Sequence, residues 1–285
     1  MMRMPIGKKN LFIRASSGFI IGPVVVFSYL WYPTLLGLVT TIVMMASYEF
    51  IKMSNPKLCR KFRLFIAFLL GITSMVYGFS LEAEYSGILP FEAEFIFVIG
   101  FLLISLITIV RLKDINEAKE LLSSSTFSLI YIAFFLSSNY LTQINYGAGM
   151  AILALTSVWA YDSFAYIFGL TFGKHKISPT YSPKKSWEGL FGGIFGTFLY
   201  IIIYDFFREI FGLHTLIDLE YVAAFAIMVG IVDTIGDLTE SIFKRFYNVK
   251  DSSGILPGHG GMLDRIDGLL LVVPIWYFML RLFWI

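Results

Sequence analysis

Apolar residues along this chain come in long runs and seldom alternate with polar ones. Nine runs approach the roughly 20 residues that a transmembrane helix needs. They cover about 16–31, 33–51, 64–80, 95–110, 124–141, 148–170, 189–206, 221–243 and 267–285. Short polar stretches separate them, none long enough for a soluble domain. Pro23, Gly37, Gly100 and Pro274 fall inside runs, which helices in lipid tolerate. The first run lacks an A-x-A-like cleavage site and meets the second at once, so it reads as a retained span. The pattern predicts an all-α integral membrane protein with about nine transmembrane helices. A five-span region over 1–142 would precede a four-span region over 143–285.

Composition agrees and removes other classes. Apolar residues make up 57% of the 285 and charged residues 15%, against about 45–50% and 25% in soluble domains. Mean hydropathy is +0.76. Such a chain cannot clothe itself in polar groups in water, which excludes a disordered protein and a cytosolic enzyme. The single cysteine, Cys59, excludes an intrachain disulfide.

The net charge of +2 hides a strong segregation. With nine spans, one side of the membrane holds Arg3, Lys8, Lys9 and Arg14, then the 52–63, 111–119, 174–185 and 244–265 segments. Of the 22 basic residues, only Arg208 and Arg281 fall opposite, together with the acidic loop of Glu82, Glu84, Glu92 and Glu94. Basic loops stay in the cytoplasm, so a cytoplasmic N-terminus and an extracytoplasmic C-terminus are expected.

Charges inside spans are the exceptions, each costing about 2.5–3.5 kcal/mol at a helix centre. Asp162 lies in the sixth run, Asp233, Asp237 and Glu240 in the eighth, and Asp264 and Asp267 open the ninth. The assigned directions bring all of them to similar depth near the cytoplasmic face. Asp233, Asp237, Glu240 and Lys244 recur at helical spacing on one face, as do Asp264 and Asp267. Carboxylates converging from two faces suit a hard cation such as Mg²⁺, which shares its coordination with phosphates.

The adjoining cytoplasmic loops carry cations, hydroxyls and turn formers. One runs from Gly173 and Lys174 through Ser182, Lys184 and Lys185 to Gly189. The other runs from Lys250 through Pro257, Gly258, His259, Gly260 and Gly261 to Arg265. Glycines let backbone approach a ligand closely, and the turn leads into a helix start that favours phosphate. Cations beside a carboxylate–metal centre at a membrane surface describe phosphoryl or nucleotidyl transfer. No G-x-x-x-x-G-K-S/T loop is present, which excludes a P-loop ATPase.

The residues from Ser241, Lys244 and Arg245, through Lys250-Asp251 and Pro257-Gly258-His259-Gly260-Gly261, to Asp264-Arg265 and Asp267 resemble the signature of the phosphatidate cytidylyltransferases. Gly236-Asp237 with Glu240, Asp162 with Tyr166 and Gly169, and Ser182-Pro183-Lys184-Lys185-Ser186-Trp187-Glu188-Gly189 are similar to the same family. The motifs cover about 160–268; the first five spans share only hydropathy with it. One departure is Leu170, where many members carry a basic residue. The resemblance implies CMP transfer from CTP to phosphatidate, with Mg²⁺ and room for a second cation. It implies Asp237 and Asp264 as principal metal ligands, Asp233 and Asp267 next, and Asp162 completing the site or orienting a lysine. Lys244, Arg245, Lys250, His259 and Arg265 would hold reacting phosphates. Lys174, Ser182, Lys184, Lys185, Gly258, Gly260 and Gly261 would bind substrate. It further implies a homodimer in the inner (plasma) membrane with its site facing the cytoplasm, and no nucleic-acid partner. An ion-coupled transporter also places acids in membranes, but the acids crowd one side, and no internal repeat is evident. A CTP-using lipid kinase is the enzymatic alternative.

Overall fold

A computed structural model describes residues 21–88, 92–208, 210, 217–255 and 260–283. The start of the first predicted span and the basic tail before it lie outside these residues. Helix α1 covers 21–28. The chain then forms α2 (Tyr32–Ser54), α3 (Arg60–Tyr85), α4 (Phe95–Arg111) and α5 (Ile115–Phe127). Through a π-helical turn, Ser128–Phe134, α5 runs on into α6 (Phe135–Phe172). A hairpin of β1 (Lys176–Ser178) and β2 (Ser182–Ser186) follows, then α7 (Trp187–Arg208), α8 (Leu219–Phe246) and α9 (Leu263–Phe283).

Among the described residues, six helical stretches are long and apolar enough to cross a membrane, and Phe95–Arg111 is apolar but shorter. One stretch, Ile115–Phe172, counts 58 residues. A straight helix of that length would run about 87 Å, about twice the thickness of a bilayer. Gly147 breaks it, with φ 81° and ψ 168°, a left-handed conformation that a side chain would strain. The break falls between the predicted fifth and sixth spans. The fifth starts earlier than its apolar run suggests: Asp114 accepts hydrogen bonds from the Asn116 and Glu117 amides, both at 2.9 Å, and caps a polar first turn.

Apolar residues cover the outside of the bundle as well as filling its core. Along α4 only Gly100, Ile104 and Thr108 are buried, a single stripe spaced by four. Ile109 and Val110 are 74% and 70% exposed, as a lipid-facing surface requires. The buried core is one contiguous cluster that draws Leu35, Phe50 and Leu70 from the N-terminal half and Leu270 and Trp276 from the C-terminal half. Some polar groups inside it pair with one another, while others, such as Trp276 Nε1, have no hydrogen-bond partner among the described residues. The Tyr29 hydroxyl donates to Asn139 Oδ1 at 3.1 Å, and Ser74 and Ser137 share a 2.6 Å hydrogen bond.

The β-hairpin is an element that the hydropathy pattern does not announce. It is antiparallel, pairing Lys176 with Ser186 and Ser178 with Ser182, and the Trp187 amide donates to the His175 carbonyl at 2.9 Å. It leads directly into α7 and holds its lysines over the end of α6.

Candidate active site

Helix α8 displays Asp233, Asp237, Glu240 and Lys244 on one face, and α9 crosses it with Asp264 and Asp267 in its first turns. The crossing is close because both helices carry glycine there. A Cβ on Gly236 would stand 2.5 Å from the Asp267 carbonyl oxygen, and one on Gly268 would collide with the Asp233 carboxylate. This contact sets the two acidic faces together.

The structure sorts the predicted site residues into two sets. In the first, Lys185 of β2 reaches Asp237, with Nζ 2.9 Å from Oδ2. Asp233 is buried, and Asp162, Asp237, Asp267 and Lys185 all stand within electrostatic reach of it. The other oxygen of Asp237 accepts from the Ser241 hydroxyl at 3.2 Å. A cleft of about 270 Å³ opens here, lined by Tyr161, Asp162, Tyr166, Lys184, Lys185, Thr234 and Asp237. The Tyr161 and Thr234 hydroxyls are tied at 2.6 Å. Burial alone would lower the pKa of the Lys185 ammonium. The carboxylates of Asp237, Asp233 and Asp267 outweigh that and hold it above the ordinary lysine value.

In the second set, Lys244 lies between Glu240, with which it pairs closely, and Asp264, whose Oδ1 is 2.7 Å away. Asp264 Oδ2 accepts from the Ser252 amide at 2.9 Å, the Ser252 hydroxyl at 2.8 Å and the Gly261 amide at 3.0 Å. Asp264 therefore stands with Lys244 and the loop before α9, while Asp267 belongs with Asp237. Gly260 takes φ 85°, and its ideal Cβ would lie 3.3 Å from Asp264 Oδ2.

The remaining candidates rim these sets. Lys174, Lys184, Arg245, Lys250 and Arg265 are exposed, and Ser182 is half-buried. Lys174 lines a second cavity with His175, Lys176, Trp187, Glu188 and Phe191. Gly258 and His259 lie outside the described residues. Among the described residues, the carboxylates whose oxygens all fall within 4.8 Å of one another are Glu84, Glu92 and Glu94, on the α3–α4 connection. The acids of the candidate site are instead spread around lysines.

Sequence reasoning missed Glu49 of α2, which is fully buried and accepts from Ser252, Ser253, Met262 and Leu263. It sits in the second apolar run, so the rule that flagged Asp162 would have flagged it too.

Comparison with known proteins gives this geometry a family. The model of the cytidylyltransferase family matches residues 12–283. The chain belongs to the cytidylyltransferase family. The chain is 39% identical over 273 residues to a phosphatidate cytidylyltransferase of Thermotoga maritima, covering 96% of this chain and 97% of that protein. It is 33% identical over 245 residues to a phosphatidate cytidylyltransferase of Bacillus subtilis, covering 84% and 85%. A Haemophilus influenzae protein of the same name is 42% identical over 132 residues, 45% of this chain and 44% of its own. The cytidylyltransferase match begins ahead of α2, so the N-terminal helices fall inside the family's pattern.

Proposed function

We infer that this chain transfers CMP from CTP to phosphatidate, giving CDP-diacylglycerol and pyrophosphate. The observation that carries the reading is Lys185 on Asp237 in a cleft of a cytidylyltransferase whose surrounding helices are lipid-facing. A phosphate oxygen of phosphatidate attacks the α-phosphorus of CTP, and the bond to the bridging oxygen of pyrophosphate breaks. The nucleophile is already an anion, so no base is needed, and the obstacle is repulsion between phosphates. Lys184 and Lys185, with Lys174 and Ser182 on the approach, offset that repulsion by holding the triphosphate or the lipid headgroup. Lys244, Arg245, Lys250, Arg265 and His259 hold the reacting phosphates, and Gly258, Gly260 and Gly261 let backbone amides come close.

The donor set supports Mg²⁺. Around Lys185 stand Asp162, Asp233, Asp237 and Asp267, hard oxygen donors with more negative charge than one ammonium answers. Asp237, Asp233 and Asp267 would hold the ion, with Asp162 beside them. Asp264 would join by releasing Lys244 to a phosphate, and the set leaves room for a second cation. When bound, a divalent cation supplies charge neutralisation at the phosphates.

The nine-span arrangement, N-terminus inside, is supported by the break at Gly147 and by the segregation of basic residues. It puts the cleft at the cytoplasmic face of the inner membrane, where CTP is available and phosphatidate arrives from the bilayer. The chain works as a homodimer and needs no nucleic acid. Single cysteines introduced at 86 and 180, after Cys59 is replaced, test the orientation. Only the one at 86 should label from outside intact cells, and equal labelling would refute it. Purified protein given CTP, phosphatidate and Mg²⁺ tests the activity. Pyrophosphate and CDP-lipid should appear in equal amounts; CDP with a phosphorylated lipid would instead mark a kinase.

A further inference from the structure

Glu49 has no part in the chemistry above, yet it is the only carboxylate of α2 and is fully buried among apolar side chains. Each of its oxygens takes one hydroxyl and one amide. Oε1 accepts from Ser253 Oγ at 2.5 Å and from the Met262 amide at 2.9 Å. Oε2 accepts from Ser252 Oγ at 3.1 Å and from the Leu263 amide at 2.8 Å. The hydroxyls come from the start of the segment that leads into α9, and the amides come from its end. One side chain therefore joins Ser252 and Ser253 to the head of α9 and satisfies free N–H groups there. Ser252 Oγ also lies 2.8 Å from Asp264 Oδ2, so the contact continues into the second charged set. The fit leaves no spare room: a Cβ on Gly261 would collide with Ser252 Oγ and stand 2.7 Å from Glu49 Oε2.

We propose that Glu49 is a positioning residue for CMP transfer, tying Ser252 and Ser253 to Met262 and Leu263 at the head of α9 so that Asp264, Arg265 and Asp267 are presented in register. The N-terminal half thereby builds part of the site, although the recognisable motifs all lie in the C-terminal half. The proposal rests on the reading that these α9 residues serve the transfer. Each carboxylate oxygen takes one backbone amide, which can only donate, so the NH₂ of Glu49→Gln would face the Met262 or the Leu263 N–H and break that contact.

The test uses the purified full chain in detergent, with kcat, the KM for CTP and for phosphatidate, and thermal melting measured together. Glu49→Gln should lower kcat by about 10–100-fold, the scale of a small misplacement of reacting groups. Both KM values should change by less than about threefold, because the phosphate-holding cations remain. Ser252→Ala removes the hydroxyl shared by Glu49 and Asp264 and should also lower kcat. The double variant should fall within about twofold of Glu49→Gln alone, since the two residues act as one unit. A structural role alone would lower the melting temperature and leave kcat per folded molecule unchanged, which overturns the proposal. So would fully independent losses in the double variant. If Glu49→Gln does not fold, Ser252→Ala decides: a wild-type kcat there overturns the proposal. Asp237→Asn in the same assay separates the two levels, because an active Asp237→Asn would remove the site reading itself.

Discussion

Lys185 and Lys244 both meet carboxylates of α8, one arriving from the hairpin and the other from the helix itself, and their surroundings differ. Asp264 receives Lys244 on Oδ1 and one hydroxyl and two amides on Oδ2, which holds it firmly in place. Glu240 on the other side is 2% exposed, with Oε2 on Lys244 and Oε1 buried without a hydrogen-bond partner among the described residues. Around Lys185, the acids outnumber the cation, and Asp237 keeps 34% of its side chain exposed toward a cleft. Asp264 is anchored as scaffold until a phosphate draws Lys244 away, whereas the unsaturated set with room beside it is where further ligands are taken up first. The difference separates two jobs that one stripe of acids on α8 would otherwise blur.

Substitutions that remove one partner at a time test the contrast. Lys244→Met should have the largest effect on stability, about 3–5 kcal/mol, because it strands two buried carboxylates. Thermal melting in detergent reads it, and adding Glu240→Gln should recover part of the loss. Lys185→Met should cost about 2 kcal/mol, less because Asp237 is a third exposed and water screens it. That variant should lose turnover by about 10²-fold, on the scale of losing one preorganised donor. A smaller stability loss for Lys244→Met than for Lys185→Met would reverse the assignment of scaffold and reaction centre. Ser241→Ala removes one hydrogen bond to Asp237 and should cost about 1 kcal/mol or less, with activity largely kept.

The membrane character was plain in the sequence because lipid demands long apolar runs and makes any charge within them conspicuous. Asp162, Asp233, Asp237 and Asp267 were found that way. Their division from Asp264 was not legible, since it depends on how closely α8 and α9 cross at Gly236 and Gly268. The start of α5 was missed because Asn116, Glu117, Lys119 and Glu120 give its first turns a polar surface. The hairpin was missed because a stretch with Pro179 and Pro183 reads as a loop, and its strands span only three and five residues. Glu49 is legible by the same rule, but nothing in the sequence shows that its partners lie more than 200 residues away.

The central claim is that the unsaturated set centred on Asp237 performs the transfer. It is tested most directly by CDP-lipid formation with Asp237→Asn across a range of Mg²⁺ concentrations, alongside thermal melting of the same preparation. Asparagine keeps the shape and removes the charge that balances Lys185 and would bind the ion. The account predicts a folded protein that forms no CDP-lipid at any Mg²⁺ concentration, a loss of at least about 10³-fold. Near-wild-type product formation at low Mg²⁺ would contradict it.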